Sequence, residues 1–166
     1  MSGPPFDLPP DARTRLAVWR AAEDEIVFTN GVYDLLHRGH AEYLAEARAL
    51  GDRLVVGVNS DASVHRLKGP SRPIVPQADR AGLVAALACV DLVVIFDDDT
   101  PQRLIEAVQP DVLVKGADWA EADIVGGEFV KARGGRVERI RLREGISTTA
   151  LVKRIVDGRS ALDPWD

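Results

Sequence analysis

Short runs of consecutive apolar residues alternate with helix-like segments along the chain, and this alternation constrains the fold more than any other feature. A strand that is apolar at successive positions is typical of a sheet covered by helices on both faces. Such runs occupy residues 26–29, 54–58, 92–96 and 112–114. A fifth run, residues 137–142, mixes charged and apolar residues, which is typical of an edge strand. The pattern predicts one doubly wound α/β domain with a mostly parallel sheet of about five strands.

The segments between these runs predict the helices and the limits of the domain. Helical spacing predicts helices at residues 11–23, 39–50, 77–90, 100–108, 123–133 and 148–156. Asp11 and Asp99 are expected to cap the starts of two of them, and Gly51 to follow the end of a third. The four prolines of residues 1–10 predict a flexible N-terminal lead. The domain is expected to span residues 11–157, followed by a C-terminal tail at residues 158–166.

The charge balance limits the partners of the chain. Lys and Arg total 21 against 26 Asp and Glu, a net charge of -5, so no long-range attraction to nucleic acid or anionic membranes is expected. No apolar run approaches the ~20 residues of a membrane span, and the first residues do not resemble a signal peptide. A cytoplasmic location is therefore predicted. Cys89 is the only cysteine, so it excludes an intrachain disulfide and is expected to pack as a small hydrophobe.

The loop after the first apolar run carries two histidines. It reads TNGVYDLLHRGH over residues 29–40, and it runs into the start of a predicted helix. His37 and His40 are three residues apart and share one face, while Gly39 leaves the backbone amides open to a phosphate. The helix end adds about half a positive charge, which favours anions. These features together predict a phosphate site, and neither a P-loop nor a Gly-x-Gly-x-x-Gly fingerprint is present.

Other interpretations of the polar residues were weighed. An isolated histidine pair is often a helix surface or a satisfied core, and zinc would need a further ligand, for which His65 and Cys89 lack suitable spacing. Arg66, Lys68 and Arg72 form a basic loop that could simply be solvated, but its place after the second strand favours phosphate binding. Ser147 could be no more than an N-cap. The acidic run at residues 97–99 is rejected as a metal site because consecutive side chains point in different directions.

Residues 31–40 resemble the hallmark loop of the His-x-Gly-His nucleotidyltransferase superfamily, and residues 145–149 (GISTT) resemble its second signature. Within that superfamily, residues 25–156 are similar to the adenylyltransferases that act on D-glycero-β-D-manno-heptose 1-phosphate. The blocks that carry this likeness are residues 58–63 (VNSDAS), 67–74 (LKGPSRPI), 79–80 (DR), 99–101 (DTP), 114–118 (VKGAD) and 134–135 (GG).

The resemblance implies a Rossmann-like fold and a reaction in which ATP and the heptose 1-phosphate give ADP-heptose and pyrophosphate. The implied catalytic residues are His37, His40 and Lys68. The implied nucleotide-binding residues are Thr29, Asn30, Gly31, Val32, Tyr33, Gly39, Lys115, Gly116, Asp118, Trp119, Gly145, Ser147, Thr148 and Thr149. The implied substrate-binding residues are Asp34, Asn59, Asp61, Arg72 and Arg80. Mg²⁺ is expected through the phosphates, with Asp34 as an outer contact at most. A homodimer and a separate upstream sugar kinase are also implied.

Two alternatives stay open. Residues 144–149 resemble the matching segment of glycerol-3-phosphate cytidylyltransferases. Tyr33 stands where the superfamily usually has Phe, and Ala117 and Trp119 stand where many heptose enzymes have Gly and Tyr, so the nucleotide pocket differs and CTP is an alternative nucleotide. The blocks at residues 67–74 and 113–118 favour the heptose substrate instead. The second alternative is a binding module without turnover, which the intact set of histidines and Lys68 argues against.

Overall fold

The computed structural model describes residues 4–158, apart from the side chain of Glu121. Five parallel strands form one sheet in this part of the chain, in the order β3-β2-β1-β4-β5. The strands are β1 (Ile26–Gly31), β2 (Arg53–Asn59), β3 (Leu92–Phe96), β4 (Val112–Gly116) and β5 (Arg136–Ile140). Val27 of β1 lies opposite Leu54 of β2 and Val112 of β4, so β1 is the central strand. The predicted parallel α/β sheet is confirmed, with β5 at an edge.

Helices cover both faces of the sheet, as the unbroken apolar runs predicted. They are α1 (Pro10–Ala21), α2 (Arg38–Arg48), α3 (Asp61–Lys68), α4 (Gln77–Ala85), α5 (Gln102–Val108), α6 (Gly127–Ala132) and α7 (Thr148–Gly158), with a 3₁₀ turn at Glu121–Asp123. Phe28 packs with Leu16 and Leu104 in one buried cluster, and Val27 packs with Leu44 in another. Alternate side chains of β1 therefore point to opposite faces of the sheet and pack in two separate cores. No helix within residues 4–158 is long and apolar enough to cross a membrane.

One helix was not predicted from the sequence. Residues 61–68 form α3, and Ser60 caps its start by accepting a hydrogen bond from the amide of Ser63 at 3.0 Å. Lys68 is therefore the last residue of a helix and not part of a basic loop. Only Ser63 and Val64 of α3 are buried, so the segment shows too little apolar periodicity to be recognised.

Several predicted boundaries were wrong for local reasons. Helix α1 begins at Pro10, which places Asp11 in its first turn, and α2 ends at Arg48, two residues before its predicted end at residue 50. Helix α4 ends at Ala85, five residues early. The helix predicted over residues 123–133 is interrupted at Gly126, whose φ of 84° breaks helical geometry.

The acidic run predicted to start α5 has another role. Pro101 precedes α5 at its N-cap position, and Asp99 pairs instead with Arg66 of α3 at 2.6 Å. Arg66 also donates to the backbone of Asp97, so this arginine of the predicted basic loop is held by acidic residues. Arg66 therefore has acidic partners within the protein.

The two ends of the described chain and the single cysteine lie where the structure shows the following contacts. Residues 4–9 contain no helix or strand; Leu8 is buried and Arg103 donates to the Pro4 carbonyl at 2.7 Å, so this part of the predicted lead contacts the domain, and its flexibility stays a prediction. The predicted tail from residue 159 onward lies outside the described residues, and Gly158 still belongs to α7. Cys89 is half-buried against the core, as predicted, and burial raises the pKa of its thiol.

Candidate active site

A cleft of about 480 Å³ opens at the carboxyl ends of the strands, where β2 and β4 flank β1. Ligands bind at this point in doubly wound sheets because the chain departs in opposite directions from the central strand. The predicted site residues that line the cleft are Asn30, Gly31, Val32, Tyr33, Asp34, His37, Gly39, His40, Asn59, Lys68, Arg72, Lys115, Gly116, Asp118, Trp119, Ser147, Thr148 and Thr149. The chain fold thus gathers residues from both ends of the sequence into one cavity.

The two histidines form a stacked pair at the start of α2. His37 has extended backbone angles immediately before the helix, and His40 lies in the first turn. Their ring centroids are 3.8 Å apart and the ring planes differ by 18°. The backbone amide of His37 donates to Nδ1 of His40 at 3.4 Å, so Nδ1 is an acceptor and the neutral ring carries its proton on Nε2. His40 can therefore donate a hydrogen bond without being charged.

Burial keeps both rings neutral in the free protein. It lowers the pKa of His37, and it lowers the pKa of His40 to about 4, with the neighbouring His37 adding to the effect and Asp34 opposing it. A bound polyanion would favour the protonated rings, because an opposite charge nearby stabilises the charged form. The pair therefore gains a positive charge most easily when an anion is present.

The histidine pKa values predict how the stability of the free protein depends on pH. The folded pKa of His40 is about 4 against an ordinary value of 6.5, so between these values the unfolded chain binds more protons. Stability is fully present above about pH 6.5 and falls as the pH decreases toward 4. Urea unfolding at pH 7.5 and 4.5 measures this change. We expect a smaller change in His40→Gln, and an unaltered change would contradict the assignment.

Gly39 brings the loop before α7 into contact with the histidines. A Cβ at residue 39 would lie 3.0 Å from Cε1 of His37 and 3.0 Å from Cγ2 of Ile146. Ile146 immediately precedes the residues that begin α7, and Ser147 caps that helix by accepting from the amide of Ala150 at 3.1 Å. The absent side chain thus allows the two signature segments to meet across the cleft.

This contact predicts the effect of a single methyl group. Gly39→Ala should displace His37 or Ile146, since overpacking of this kind costs about 1–3 kcal/mol, and we expect roughly tenfold weaker ATP binding. Calorimetric titration with ATP measures the dissociation constant. Gly82→Ala is the matched control, because Gly82 lies inside α4 and an added Cβ there would meet nothing outside its own helix backbone within 4 Å. That variant should bind ATP normally, and equal losses in both would refute the steric explanation.

Asp34 lines the cleft, but its carboxylate already accepts hydrogen bonds from donors of the protein itself. It accepts from the amides of Ile74 at 2.8 Å and Val75 at 2.9 Å and from Nε of Arg72 at 2.9 Å. Burial alone would raise the pKa of Asp34, but these donors hold it below its ordinary value. The Asp34 carbonyl accepts from the hydroxyl of Thr148 at 2.7 Å. Asp34 therefore connects its own loop to residues 72–75 and to the start of α7. Arg72 lines the cleft beside it.

Arg80 and Asp61, predicted to bind substrate, lie outside the cleft. The Arg80 side chain is fully buried and donates to the carbonyls of Val75 at 2.9 Å, Val32 at 2.6 Å and Asn59 at 2.8 Å. It also pairs with the Asp61 carboxylate at 2.8 Å. Arg80 thus holds in place the backbone of segments that line the cleft, a role that its sequence position did not reveal.

Two predicted nucleotide-binding residues are also outside the cleft. Thr29 is buried, and its hydroxyl bonds the hydroxyl of Tyr43 at 2.8 Å and the carbonyl of Val114 at 3.0 Å. It therefore joins β1 to β4 beneath the cleft. Gly145 supplies a turn of φ 79° before α7 and does not line the cavity. Both residues support neighbours that do.

The cleft is rich in cationic side chains although the chain as a whole is acidic. Lys68, Arg72, Lys115 and Arg143 all line it. Lys115 is largely buried and donates to the side-chain oxygen of Asn30. Burial lowers the pKa of Lys115 to about 8, which Asp118 partly opposes, so the amine is mostly protonated at neutral pH. Local positive charge of this kind suits a polyphosphate ligand.

Sequence reasoning missed four residues of the lining, which are Tyr43, Leu142, Arg143 and Ile146. Arg143 donates to both carboxylate oxygens of Glu42 on α2 at 2.8 Å. Tyr43 lies one turn beyond His40, and the other three flank or lie within the second signature, so proximity to the two motifs was the available signal. Burial raises the pKa of Tyr43 to about 12.

The described residues offer no cluster of three or more His, Cys, Asp or Glu side chains that could hold a metal ion. The acidic run before α5 is occupied by arginines: Asp98 pairs with Arg103 at 2.9 Å, and Asp99 with Arg66. On the cleft wall, the Asp34 carboxylate is hydrogen-bonded to Arg72, Ile74 and Val75.

The cytidylyltransferase-like family matches residues 28–154, a stretch that includes the histidine loop, nearly all of the sheet and most of α7. The chain belongs to this family. It is 56% identical over 144 residues to the bifunctional protein HldE of Magnetococcus marinus, covering 87% of this chain and 30% of that protein. It is also 56% identical over 133 residues to HldE of Helicobacter pylori, covering 80% and 28%. The chain therefore spans less than a third of the length of these relatives.

Two solved structures share the fold of this chain. The lipopolysaccharide core biosynthesis protein from Thermoplasma volcanium superposes with a TM-score of 0.60 at 32% identity, covering 72% of this chain and 97% of that one. A protein from Archaeoglobus fulgidus superposes with a TM-score of 0.55 at 20% identity, a likeness of fold alone.

Proposed function

We propose that this cytidylyltransferase-like domain transfers AMP from ATP to D-glycero-β-D-manno-heptose 1-phosphate and releases pyrophosphate. The observation that carries the proposal is the stacked pair of His37 and His40 at the start of α2, which lines a cationic cleft together with the hydroxyl-bearing start of α7. Backbone amides, neutral donors and cations around one cavity are the groups that bind and stabilise phosphates. The similarity to HldE proteins supports the choice of heptose chemistry.

The reaction needs no protein nucleophile. An oxygen of the sugar 1-phosphate forms a bond to the α-phosphorus of ATP, and the bond from that phosphorus to the bridging oxygen breaks, so pyrophosphate leaves. The barrier comes from bringing two anions together and from the charge that grows on the leaving group, so positioning and electrostatic stabilisation dominate. Nε2 of His40 and the amine of Lys68 would supply these donors. Mg²⁺ would enter with ATP, bound to its phosphates.

The two sides of the cleft suit the two substrates. Lys115, Gly116 and Trp119 line the side formed by the end of β4, where the nucleotide would bind. Asn59 at the end of β2, Lys68 and Arg72 line the other side, where the sugar phosphate would bind. The histidines would then face the α-phosphate where the two substrates meet.

CTP with glycerol 3-phosphate is the rival pair, favoured by the sequence of residues 144–149. A matrix of ATP, CTP, GTP and UTP against heptose 1-phosphate, glycerol 3-phosphate and hexose 1-phosphates, followed by pyrophosphate release, separates the two. We expect the largest kcat/KM for ATP with heptose 1-phosphate. A larger value for CTP with glycerol 3-phosphate would replace the assignment, and ATP binding without pyrophosphate in any well would indicate a binding module.

The proposed reaction requires an upstream enzyme, and the oligomeric state is a separate prediction. A kinase that phosphorylates the anomeric oxygen must supply the substrate, and the matching relatives are themselves described as bifunctional. The homodimer stays a prediction, which sedimentation of the purified chain would test.

A further inference from the structure

Arg143 lines the cleft, although it lies outside both signature segments. It belongs to the loop between β5 and α7, residues 141–147, and its side chain is 44% exposed, so a ligand in the cleft can reach it. Its Nη1 atom makes two hydrogen bonds, one to each oxygen of the Glu42 carboxylate, at 2.8 Å. Within residues 4–158, no hydrogen bond from Nε or Nη2 of Arg143 is present. The donors on these two nitrogens therefore remain for a ligand.

The carboxylate of Glu42 fixes the position of this guanidinium. Glu42 lies on α2, and it also accepts from Nε of Arg38 at 2.6 Å. Hydrogen bonds from Arg143 and Arg38 hold the pKa of the Glu42 carboxyl below its ordinary value, so it is ionised at neutral pH. One carboxylate between two guanidinium groups leaves one net positive charge on the three side chains. The pairing therefore restrains Arg143 without cancelling the charge of the cluster.

The neighbours of Arg143 in the loop identify its place in the cleft. Leu142 contacts the end of β4, because a Cβ on Gly116 would lie 3.1 Å from Cδ1 of Leu142. Further along the loop, Ile146 contacts Gly39 at the start of α2. Arg143 therefore lies between the side proposed above for the nucleotide and the helix whose histidines would face the α-phosphate.

Arg143 also lies at the mouth of the cleft, since it lines an adjoining pocket of about 520 Å³ as well. The start of α7, which favours anions, follows shortly after it in the chain. We propose that Arg143, positioned by Glu42, binds the β- and γ-phosphates of the nucleotide, the part that leaves as pyrophosphate. A guanidinium suits this part because its planar donors can contact two phosphate oxygens at once. The inference rests on the proposed function.

Calorimetric titration of the full chain with ATP and with AMP tests the role of Arg143. We expect Arg143→Gln to raise the dissociation constant of ATP about ten- to thirtyfold, the lower part of the range for hydrogen bonds to charged groups, because the side chain is partly exposed. AMP lacks the β- and γ-phosphates, so its dissociation constant should stay within about twofold of the wild-type value. Arg143→Lys keeps the charge but not the planar donors, and its ATP affinity should be intermediate.

Arg141→Gln is the matched control for the loss of charge. Arg141 belongs to the same loop and lines the adjoining pocket but not the cleft, so this variant should bind ATP as the wild type does. Thermal unfolding checks that the variants fold, and the Tm of Arg143→Gln should stay close to that of the wild type because an exposed ion pair contributes little. Equal weakening of ATP and AMP binding in Arg143→Gln would overturn the inference, as would an unchanged ATP affinity.

A double-mutant cycle tests whether Glu42 acts through Arg143. Glu42→Gln should weaken ATP binding about threefold when Arg143 is present, and it should have no effect in the Arg143→Gln background. An equal effect in both backgrounds, or tighter ATP binding in Glu42→Gln, would disprove the positioning role. A raised KM for the sugar phosphate alone in Arg143→Gln would place Arg143 at the other substrate and overturn the inference. If the wild type binds neither ATP nor CTP, the proposed function itself fails, and this inference fails with it.

Discussion

Replacing His40 with alanine is expected to lower kcat at least about a hundredfold without unfolding the protein. In the proposed mechanism, Nε2 of His40 donates to an oxygen whose negative charge grows in the transition state, and one such donor is typically worth ~3–4 kcal/mol. His40 lies in the first turn of α2, where alanine is a good helix former, so the helix should persist. Pyrophosphate release at saturating substrates measures kcat, and circular dichroism checks the fold.

His65 provides the matched control for this experiment. It is an exposed histidine on α3 and does not line the cleft, so His65→Ala should retain wild-type kcat. A comparison of the two variants removes any general effect of losing an imidazole. Near-normal turnover in His40→Ala would show that the stacked pair does not stabilise the transition state, and the proposed mechanism would have to be abandoned.

The general form of the site could be predicted from the sequence because its main parts are local. The histidine loop is a continuous segment between a strand and a helix, so residue order alone places Gly31, His37 and His40 together. The parallel sheet then places the ends of β2 and β4 beside it. Lys68, Lys115 and Thr148 therefore line the cleft as expected.

Roles that depend on contacts between distant segments could not be predicted. Asp34 and Arg72 are 38 residues apart, and nothing in either neighbourhood indicates that they pair. Arg80 resembles a helix surface residue until its four acceptors are known. Helix α3 was missed for a different reason, since eight residues with two buried side chains give almost no periodic signal.

Replacing Arg80 with methionine is expected to lower the free energy of unfolding by about 3–5 kcal/mol. The side chain is wholly buried, and its loss would leave three backbone carbonyls and the Asp61 carboxylate without their donor. Removing one partner of a charged network costs this much where the remaining groups cannot reach water, as at the buried Asn59, whereas the Asp61 side chain is 37% exposed and can be solvated. Urea unfolding at pH 7.5 measures the difference, and methionine approximates the length of the arginine stem.

The loss should also extend to the cleft in the fraction that remains folded. Val32 and Asn59 line the cavity and are held through their carbonyls by Arg80, so ATP binding should weaken as well. Arg66→Met is the control, because Arg66 also pairs with aspartates but is 44% exposed, and such surface pairs contribute little. It should unfold near the wild-type urea concentration and bind ATP normally. If both variants lost the same stability, the special role of the buried Arg80 would be disproved, and α4 would be connected to the cleft by packing alone.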